Sequence, residues 1–337
     1  MLTDALRSAL RVRKPGLLLA GHGVAERFVD RQVEEVHIGR DAFIATIDML
    51  QTLGFDFIDT DQLIMLSRSG WRHSRPWVHL GFDDGYCNNL TVVLPILAAR
   101  NIPFAVYAST YHIETGDRFP TFWLRFAEHV GVDLHDVFPG RDIGAGGNVE
   151  AFQRILRFGS LHDQLAAVSR IKDILSPEQM AQLDAFENDR PMTVDELQEL
   201  GRHPLVHIGS HSHHHVVLHA DQAPSTVRAE LTTSRQRLAD DWRITANPTF
   251  CYPNGDTALS WQDMAAAIGY PLGFGSDSGF VEPGADPQLL PRFFLSTPRR
   301  ALIASLLALM GNRIMPAFGR QRPQREIRSA GVARVAA

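Results

Sequence analysis

The regular alternation of short apolar runs with longer amphipathic segments is the feature that most limits how this chain can fold. Seven short runs are typical of buried strands: residues 16–20, 77–82, 104–108, 205–208, 249–252, 272–275 and 293–295. Apolar side chains at helical spacing separate several of them, as at residues 41–53, 88–100 and 223–242. Strand, helix and strand in succession predict an α/β fold with a parallel sheet, either a barrel or a doubly wound sheet.

One long segment interrupts this alternation. Residues 111–190 give mostly helical patterns, and we predict that they form a helical cap inserted over one mouth of a barrel. The predicted domain runs from residue 16 to 318, after a helical extension over residues 1–15. Residues 319–337 carry five arginines against one acid and predict a basic, disordered tail. The alternative for this tail and the apolar helix before it is weak contact with an anionic membrane surface.

Composition excludes several classes of protein. Lysine and arginine number 33 against 38 acidic residues, a net charge of −5, which predicts no binding to nucleic acid. Two cysteines, Cys87 and Cys251, exclude a disulfide scaffold and favour a reducing compartment. Charges interrupt residues 1–16, so no secretory signal is predicted, and the apolar stretch 301–310 is too short to span a membrane. We therefore expect a cytoplasmic protein.

Two adjacent carboxylates follow the second predicted strand. Asp83 and Asp84 lie within residues 81–86, which read Gly-Phe-Asp-Asp-Gly-Tyr. Catalytic groups collect at the carboxyl ends of parallel strands. Neighbouring side chains of an extended chain point in different directions, so one carboxylate can bind a metal while the other accepts a proton. The alternative is a simple turn, because Asp-Gly is a common turn dipeptide.

A histidine cluster follows the predicted strand at residues 205–208. His211 and His215 are four residues apart, so their imidazoles can lie on one side if the chain coils after the strand. Two histidines and one carboxylate leave a coordination position open for water, as in catalytic zinc sites. The alternative is a polar face or a loose metal-binding tract. Three further histidines are expected to be solvent-facing or supporting: His213, His214 and His219.

Two weaker segments complete the pattern. Residues 250–256 form a predicted strand that runs into a Pro-Asn-Gly turn, and such a turn can present a backbone N–H to a developing oxyanion. Arg292 precedes the last predicted strand, and the alternative for it is an ordinary surface arginine.

Together these four segments resemble the polysaccharide deacetylase family, also called the NodB homology domain or carbohydrate esterase family 4. The family's first motif, Thr-Phe-Asp-Asp-Gly, corresponds to residues 81–85. Its second, His-Ser/Thr-x-x-His, corresponds to residues 211–215, and its third ends in Pro-Tyr-Gly, here residues 253–255. The resemblance extends over residues 17–295 and is weakest in the cap.

The resemblance implies a distorted (β/α)7 barrel that hydrolyses N-acetyl groups of amino sugars with a divalent metal ion. Zinc is the expected ion, with cobalt or nickel as alternatives. Carried over by position, Asp83 is the catalytic base, and Asp84, His211 and His215 hold the metal. Asn254 stands where the family's tyrosine gives its backbone N–H to the oxyanion.

The sequence also departs from the family pattern. The usual arginine of the third motif falls at Cys251, so Arg292 is the candidate to orient Asp83 instead. The late histidine that serves as general acid in many members is missing, because no histidine follows His219. His22 aligns with a Tyr-His near the start of some relatives and is predicted to line the same mouth, with a loop histidine as the alternative.

The sequence therefore predicts a metal-dependent hydrolase that removes N-acetyl or similar N-acyl groups from amino sugars of a polysaccharide or its precursor. A carbohydrate is its expected partner. Two alternatives keep the same scaffold. One is a deformylase or deacetylase acting on a lipid-linked sugar, and the other is a carbohydrate-binding protein without catalytic activity.

Overall fold

A computed structural model describes residues 2–138, 149–245, 248–296 and 299–308. Within these ranges the strands are β1 (Gly16–Gly21), β2 (Gly23–Ala25), β3 (His37–Gly39), β4 (Asp56–Phe57), β5 (Trp77–Phe82), β6 (Phe104–Ala108), β7 (Val206–Ser210), β8 (Phe250–Cys251), β9 (Gly273–Phe274) and β10 (Phe293–Phe294). The helices are α1 (Leu2–Arg13), α2 (Arg40–Leu53), α3 (Thr60–Arg68), α4 (Leu94–Ala98), α5 (Thr110–Thr115), α6 (Pro120–His129), α7 (Leu134–Val137), α8 (Val149–Phe158), α9 (Leu161–Ile174), α10 (Pro177–Met180), α11 (Val194–Gly201), α12 (Pro224–Gln236), α13 (Leu259–Ile268) and α14 (Arg299–Ala308).

The main sheet is parallel and curled, with strands in the order β10-β1-β5-β6-β7-β8-β9. Every residue of β1 and of β5 is buried, as expected for strands covered on both faces. A parallel bridge between Phe274 and Leu290 joins β9 to the segment that leads into β10, and β10 pairs with β1. The sheet thus curls back on itself, which confirms the predicted distorted α/β barrel.

Tyr107 of β6 is a buried side chain that packs against both neighbouring strands of the sheet. A Cβ atom added at Gly81 would lie 2.8 Å from the Tyr107 ring, and one added at Gly209 would lie 2.6 Å from it. Neither neighbouring strand can therefore carry a side chain at these positions unless Tyr107 moves. This packing accounts for glycine at residue 81, where the first motif of the resembled family has threonine.

The described residues between β6 and β7 are mostly helical, as the predicted inserted cap requires. Its helices α6 to α9 share a hydrophobic cluster distinct from the main core, formed by residues such as Phe122, Phe126, Phe152 and Ile171. The bounds 111–190 remain a prediction. At the other end, α1 buries Leu6 and Leu10 in the main core. The predicted basic tail, residues 319–337, lies outside the described residues.

Two predicted helices are less regular than their sequence pattern indicates. The helix expected at residues 88–100 begins with a π-helical turn, Asn89–Val93, before α4. Pro95 has no N–H to donate to the Thr91 carbonyl, so an ordinary α-helical bond is missing there. The helix expected at residues 223–242 similarly ends in a π-helical turn, Arg237–Asp241. None of the described helices combines the length and the apolar character needed to cross a membrane.

Mild acid is expected to destabilise the fold through His79. Its Nε2 lies 3.0 Å from the Thr60 hydroxyl, and burial lowers its pKa to about 3. Below pH 6.5 the unfolded chain binds a proton that folded His79 excludes, so stability falls as pH falls. From pH 6.5 to 5 this one group should lower the free energy of unfolding by about 1.6 kcal/mol. Urea unfolding at both pH values should give a smaller difference in His79→Gln than in the unaltered protein; equal differences would contradict the assignment.

Candidate active site

The predicted site residues converge on one mouth of the barrel because most of them follow the carboxyl ends of neighbouring parallel strands. His22 follows β1, Asp83 and Asp84 follow β5, and His211 follows β7. Asn254 lies in the turn after β8. Arg292 immediately precedes β10 and is buried.

Asp84, His211 and His215 form a compact group. Asp84 Oδ1 is 3.4 Å from His211 Nε2 and 3.3 Å from His215 Nε2. The three atoms all lie within 4.8 Å of one another. Asp84 Oδ1 is buried and has no hydrogen-bond partner among the described residues. A buried carboxylate oxygen without a partner, facing two imidazole nitrogens, fits the donor set of a divalent metal ion.

The protonation states agree with that fit. Burial lowers the pKa of His211 and of His215, so both rings are neutral near pH 7 and can offer a lone pair. Burial, and after it the charge of Asp83, raises the pKa of Asp84 well above its ordinary value, although a hydrogen bond from the Tyr86 hydroxyl opposes this rise. The Asp84 carboxylate would therefore be stabilised by a cation placed beside it.

The backbone around this group adopts uncommon conformations. Asp84 has φ of +74°, Ser212 of +63° and His215 of +59°. Such conformations cost free energy in non-glycine residues and cluster at functional sites. These backbone conformations turn the chain sharply after β5 and after β7. The turns allow the side chains of Asp84, His211 and His215 to approach one another.

Hydrogen bonds fix the orientation of His211. Its Nδ1–H donates to the Cys251 carbonyl at 2.8 Å, which leaves Nε2 free to face Asp84. This contact crosses from β7 to β8, so the barrel itself sets the direction of the ring. The His211 and His215 rings lie 4.7 Å apart, and Phe119 at the start of the cap packs against the His215 ring.

Glu230 of α12 supports the loop that carries both histidines. Its Oε2 accepts the backbone N–H groups of His213, at 3.0 Å, and of His214, at 2.7 Å. Its Oε1 lies 2.7 Å from His214 Nδ1. His213 and His214 thus tie the loop to α12 and lie outside the group formed by Asp84, His211 and His215. Sequence reasoning missed Glu230; the signal was an acid on the inward face of α12, between Val227 and Leu231.

Asp83 makes a different set of contacts from Asp84. Arg292 donates two hydrogen bonds to it, Nη1 to Oδ1 at 2.8 Å and Nη2 to Oδ2 at 2.9 Å. Arg292 Nε donates to the Gly275 carbonyl, and the Cys251 thiol lies 3.4 Å from Asp83 Oδ1. Burial alone would raise the pKa of Asp83, but Arg292 and His211 outweigh it, so this pKa lies below its ordinary value. Asp83 is therefore an ionised, firmly oriented carboxylate.

The turn after β8 brings Asn254 to the site. Asn254 has φ of +56°, and its carbonyl accepts a hydrogen bond from the Ser276 hydroxyl at 3.0 Å. No backbone hydrogen bond among the described residues uses its N–H. Gly255 has φ of +73°, and a Cβ there would meet Ser276 at 2.1 Å, so the turn requires glycine at this position. The arrangement leaves the Asn254 N–H available to a ligand.

His22 lies half-buried at the same mouth. Its ring stacks on Phe294, with 6.2 Å between the ring centroids. Burial lowers the pKa of His22 to about 4, although the charge of Asp83 opposes the shift. His22 is therefore neutral near pH 7.

A cleft of about 330 Å³ opens beside this group. His215, Val217 and Asn254 line its barrel side. The cap supplies the rest: Pro120, Thr121, Gln153, Arg154, Leu156, Arg157 and Gln164. Sequence patterns could not have identified these cap residues, because which helix covers the mouth depends on tertiary packing.

Comparison with known proteins gives one family match. A sequence model described as polysaccharide deacetylase matches residues 72–273, which include Asp83, Asp84, both histidines and Asn254. His22 and Arg292 lie outside the matched range. A search of curated proteins found no match.

Solved structures with a similar fold are deacetylases of low sequence identity. IcaB from Ammonifex degensii aligns with a TM-score of 0.57 and 14% identity, over 88% of this chain and 98% of its own. The Streptococcus pyogenes deacetylase PplD, in complex with acetate, gives 0.56 and 14%, over 87% and 98%. The BpsB deacetylase domain from Bordetella bronchiseptica gives 0.51 and 18%, over 83% and 96%. At these identities the similarity concerns the fold.

Proposed function

Because this chain belongs to the polysaccharide deacetylase family, we propose that it hydrolyses N-acetyl or similar N-acyl groups on amino sugars of a polysaccharide or its precursor. The observation that carries this proposal is the buried, unpartnered Asp84 Oδ1 that faces the Nε2 atoms of His211 and His215. These three residues would hold a divalent ion, with zinc favoured by the two nitrogen ligands and cobalt or nickel as alternatives. When bound, that ion supplies a Lewis acid that polarises a carbonyl and acidifies water.

The chain's own residues supply the remaining chemistry. Asp83 is ionised and fixed by Arg292, so we assign it as the general base that takes a proton from the attacking water. Asn254 lines the cleft, and no described backbone carbonyl accepts its N–H, so this N–H would donate a hydrogen bond to the developing oxyanion. His22 stays a predicted catalytic residue beside Asp83; its neutral ring suits hydrogen bonding to the substrate.

The sequence also offered two alternatives to this function. A lipid-linked sugar as substrate depended on the basic tail, residues 319–337, outside the described residues. A carbohydrate-binding protein without activity is disfavoured by the bidentate Arg292–Asp83 pair, with hydrogen bonds of 2.8 and 2.9 Å. Binding alone does not require such a pair beside the three metal-ligand candidates Asp84, His211 and His215, which we call the ligand group.

The test is acetate and free-amine release from a panel of N-acetylated amino-sugar oligomers supplied with zinc, cobalt or nickel. We expect equal amounts of the two products from at least one oligomer. Metal bound to the protein without release from any N-acylated sugar would support the binding alternative and contradict the proposed hydrolysis.

Arg292→Ala should lower kcat tenfold or more with little change in KM, because Asp83 loses the two hydrogen bonds that orient it. Arg292→Lys should recover only part of the rate, since a single ammonium cannot replace the guanidinium fork. A buried Asp83 without its counter-ion destabilises the folded protein. Thermal unfolding of each variant must therefore show that the loss of rate is not a loss of fold. An Arg292→Ala protein with unchanged kcat would remove Arg292 from the mechanism.

Glu230→Ala should weaken metal binding by about 10–100-fold, because the loop between the two histidine ligands loses three hydrogen-bonding contacts. The measurement is competition for zinc against a chelator of known affinity. Arg228→Ala, on the exposed face of the same helix, is the control and should bind zinc normally. Unaltered zinc affinity in Glu230→Ala would show that the loop holds its shape without this carboxylate.

A further inference from the structure

The cleft beside the ligand group has a positively charged lining, although the chain as a whole is negatively charged. The chain as a whole has a net charge of −5, yet none of the described residues that line the cleft is acidic. Its charged lining residues are two arginines, Arg154 and Arg157, both on α8 of the cap. Three residues apart, they lie on the same face of that helix. The positive lining is therefore a local feature and does not follow from the overall composition.

The two arginines differ in their partners. Arg157 Nε donates to Asp256 Oδ2 at 2.7 Å, and its Nη2 lies 2.5 Å from the same oxygen. Asp256 is only 11% exposed, so this pair also ties the cap to the turn that carries Asn254. Arg154 is exposed in the cleft and has no ion-pair partner among the side chains that the structure describes. After the Arg157–Asp256 pair is accounted for, one guanidinium charge remains open to a ligand.

We propose that this cleft binds an anionic group of the glycan, a carboxylate or a phosphate, on the sugar next to the one that is deacylated. The inference rests on the proposed function, since His215 and Asn254 form the opposite wall of the same cleft. The Arg154 fork matches both anions and would form charge-assisted hydrogen bonds with either. The amide group of Gln153, which also lines the cleft, suits the neutral hydroxyls of the same sugar.

The test compares three substrates at equal acetylation. They are a neutral N-acetylglucosamine oligomer, an oligosaccharide of alternating glucuronate and N-acetylglucosamine, and an N-acetylglucosamine disaccharide whose second sugar carries a phosphate in place of the carboxylate. The unaltered protein should have a higher kcat/KM for at least one acidic substrate than for the neutral oligomer, and the better acidic substrate identifies the anion. In Arg154→Gln the acidic-to-neutral ratio of kcat/KM should fall tenfold or more, mainly through KM, and Arg154→Lys should retain part of it.

Two controls separate this inference from the proposed function. Arg68→Gln, at an exposed position of α3 outside the cleft, should leave the ratio unchanged. Calorimetric binding of the glucuronate oligosaccharide and of the phosphate sugar to Asp83→Asn protein should depend on Arg154 even where no turnover occurs. Arg154-dependent binding without hydrolysis by the unaltered protein would overturn the proposed function alone. A ratio and a binding affinity that Arg154→Gln leaves unchanged would overturn the anionic subsite alone.

Discussion

Asp83→Asn is expected to lower the rate of N-acetyl hydrolysis by about 10²–10⁴-fold while zinc remains bound. Asparagine keeps the shape of the side chain and can still accept a hydrogen bond from Arg292, but it cannot take a proton from water. Asp84, His211 and His215 are untouched, so the metal content should equal that of the unaltered protein. The measurements are acetate release and metal content on the same sample.

The buried Arg292 makes a stability control necessary for this variant. The Arg292 side chain is 3% exposed, and removal of the Asp83 charge leaves its guanidinium without the one counter-ion that the described residues provide. Thermal unfolding must therefore show that Asp83→Asn is folded at the assay temperature. Asp41→Asn, fully exposed on α2, is the matched control and should keep normal activity. Full activity in folded Asp83→Asn protein would exclude Asp83 as the base.

His211→Ala should lose both the metal and the activity. This variant lacks one of the three proposed protein ligands. Its zinc affinity should fall by more than the roughly 10–100-fold expected when a residue that only hydrogen-bonds near the ligands is removed, as in Glu230→Ala. Hydrolysis should fall below detection at a zinc concentration that saturates the unaltered protein. His162→Ala, on an exposed position of the cap, is the control for removal of an imidazole in general. A His211→Ala protein that keeps zinc and activity would show that the ligand group is wrongly assigned.

The barrel and the ligand group were predictable because two independent patterns agree. Short apolar runs gave the strands, and chemistry-bearing residues followed the strands at residues 77–82 and 205–208. Because all the strands of a parallel sheet have their carboxyl ends at the same edge, Asp84 and His211 could be expected to lie close together although they are distant in sequence. In the structure Asp84 Oδ1 and His211 Nε2 are 3.4 Å apart.

The other residues of the site could not be predicted, because they depend on tertiary contacts that sequence periodicity does not specify. Glu230 supports the histidine loop from a helix whose sequence indicates only an inward face. Arg154 and Arg157 reach the cleft because the cap folds back over the mouth, and no local pattern specifies that direction. Arg292 was inferred from a missing arginine at Cys251, yet its two hydrogen bonds to Asp83 become visible only when β10 lies beside β1.

The most direct test of the account is a zinc titration of chelator-treated protein, with acetate release from an active oligosaccharide and bound zinc measured together. The account predicts negligible release from the metal-free protein and a rise in proportion to bound zinc that ends at one ion per chain. Asp84→Ala should show neither the binding nor the release. Full acetate release from metal-free protein, or zinc bound at unchanged affinity in Asp84→Ala, would contradict hydrolysis at the Asp84, His211 and His215 site.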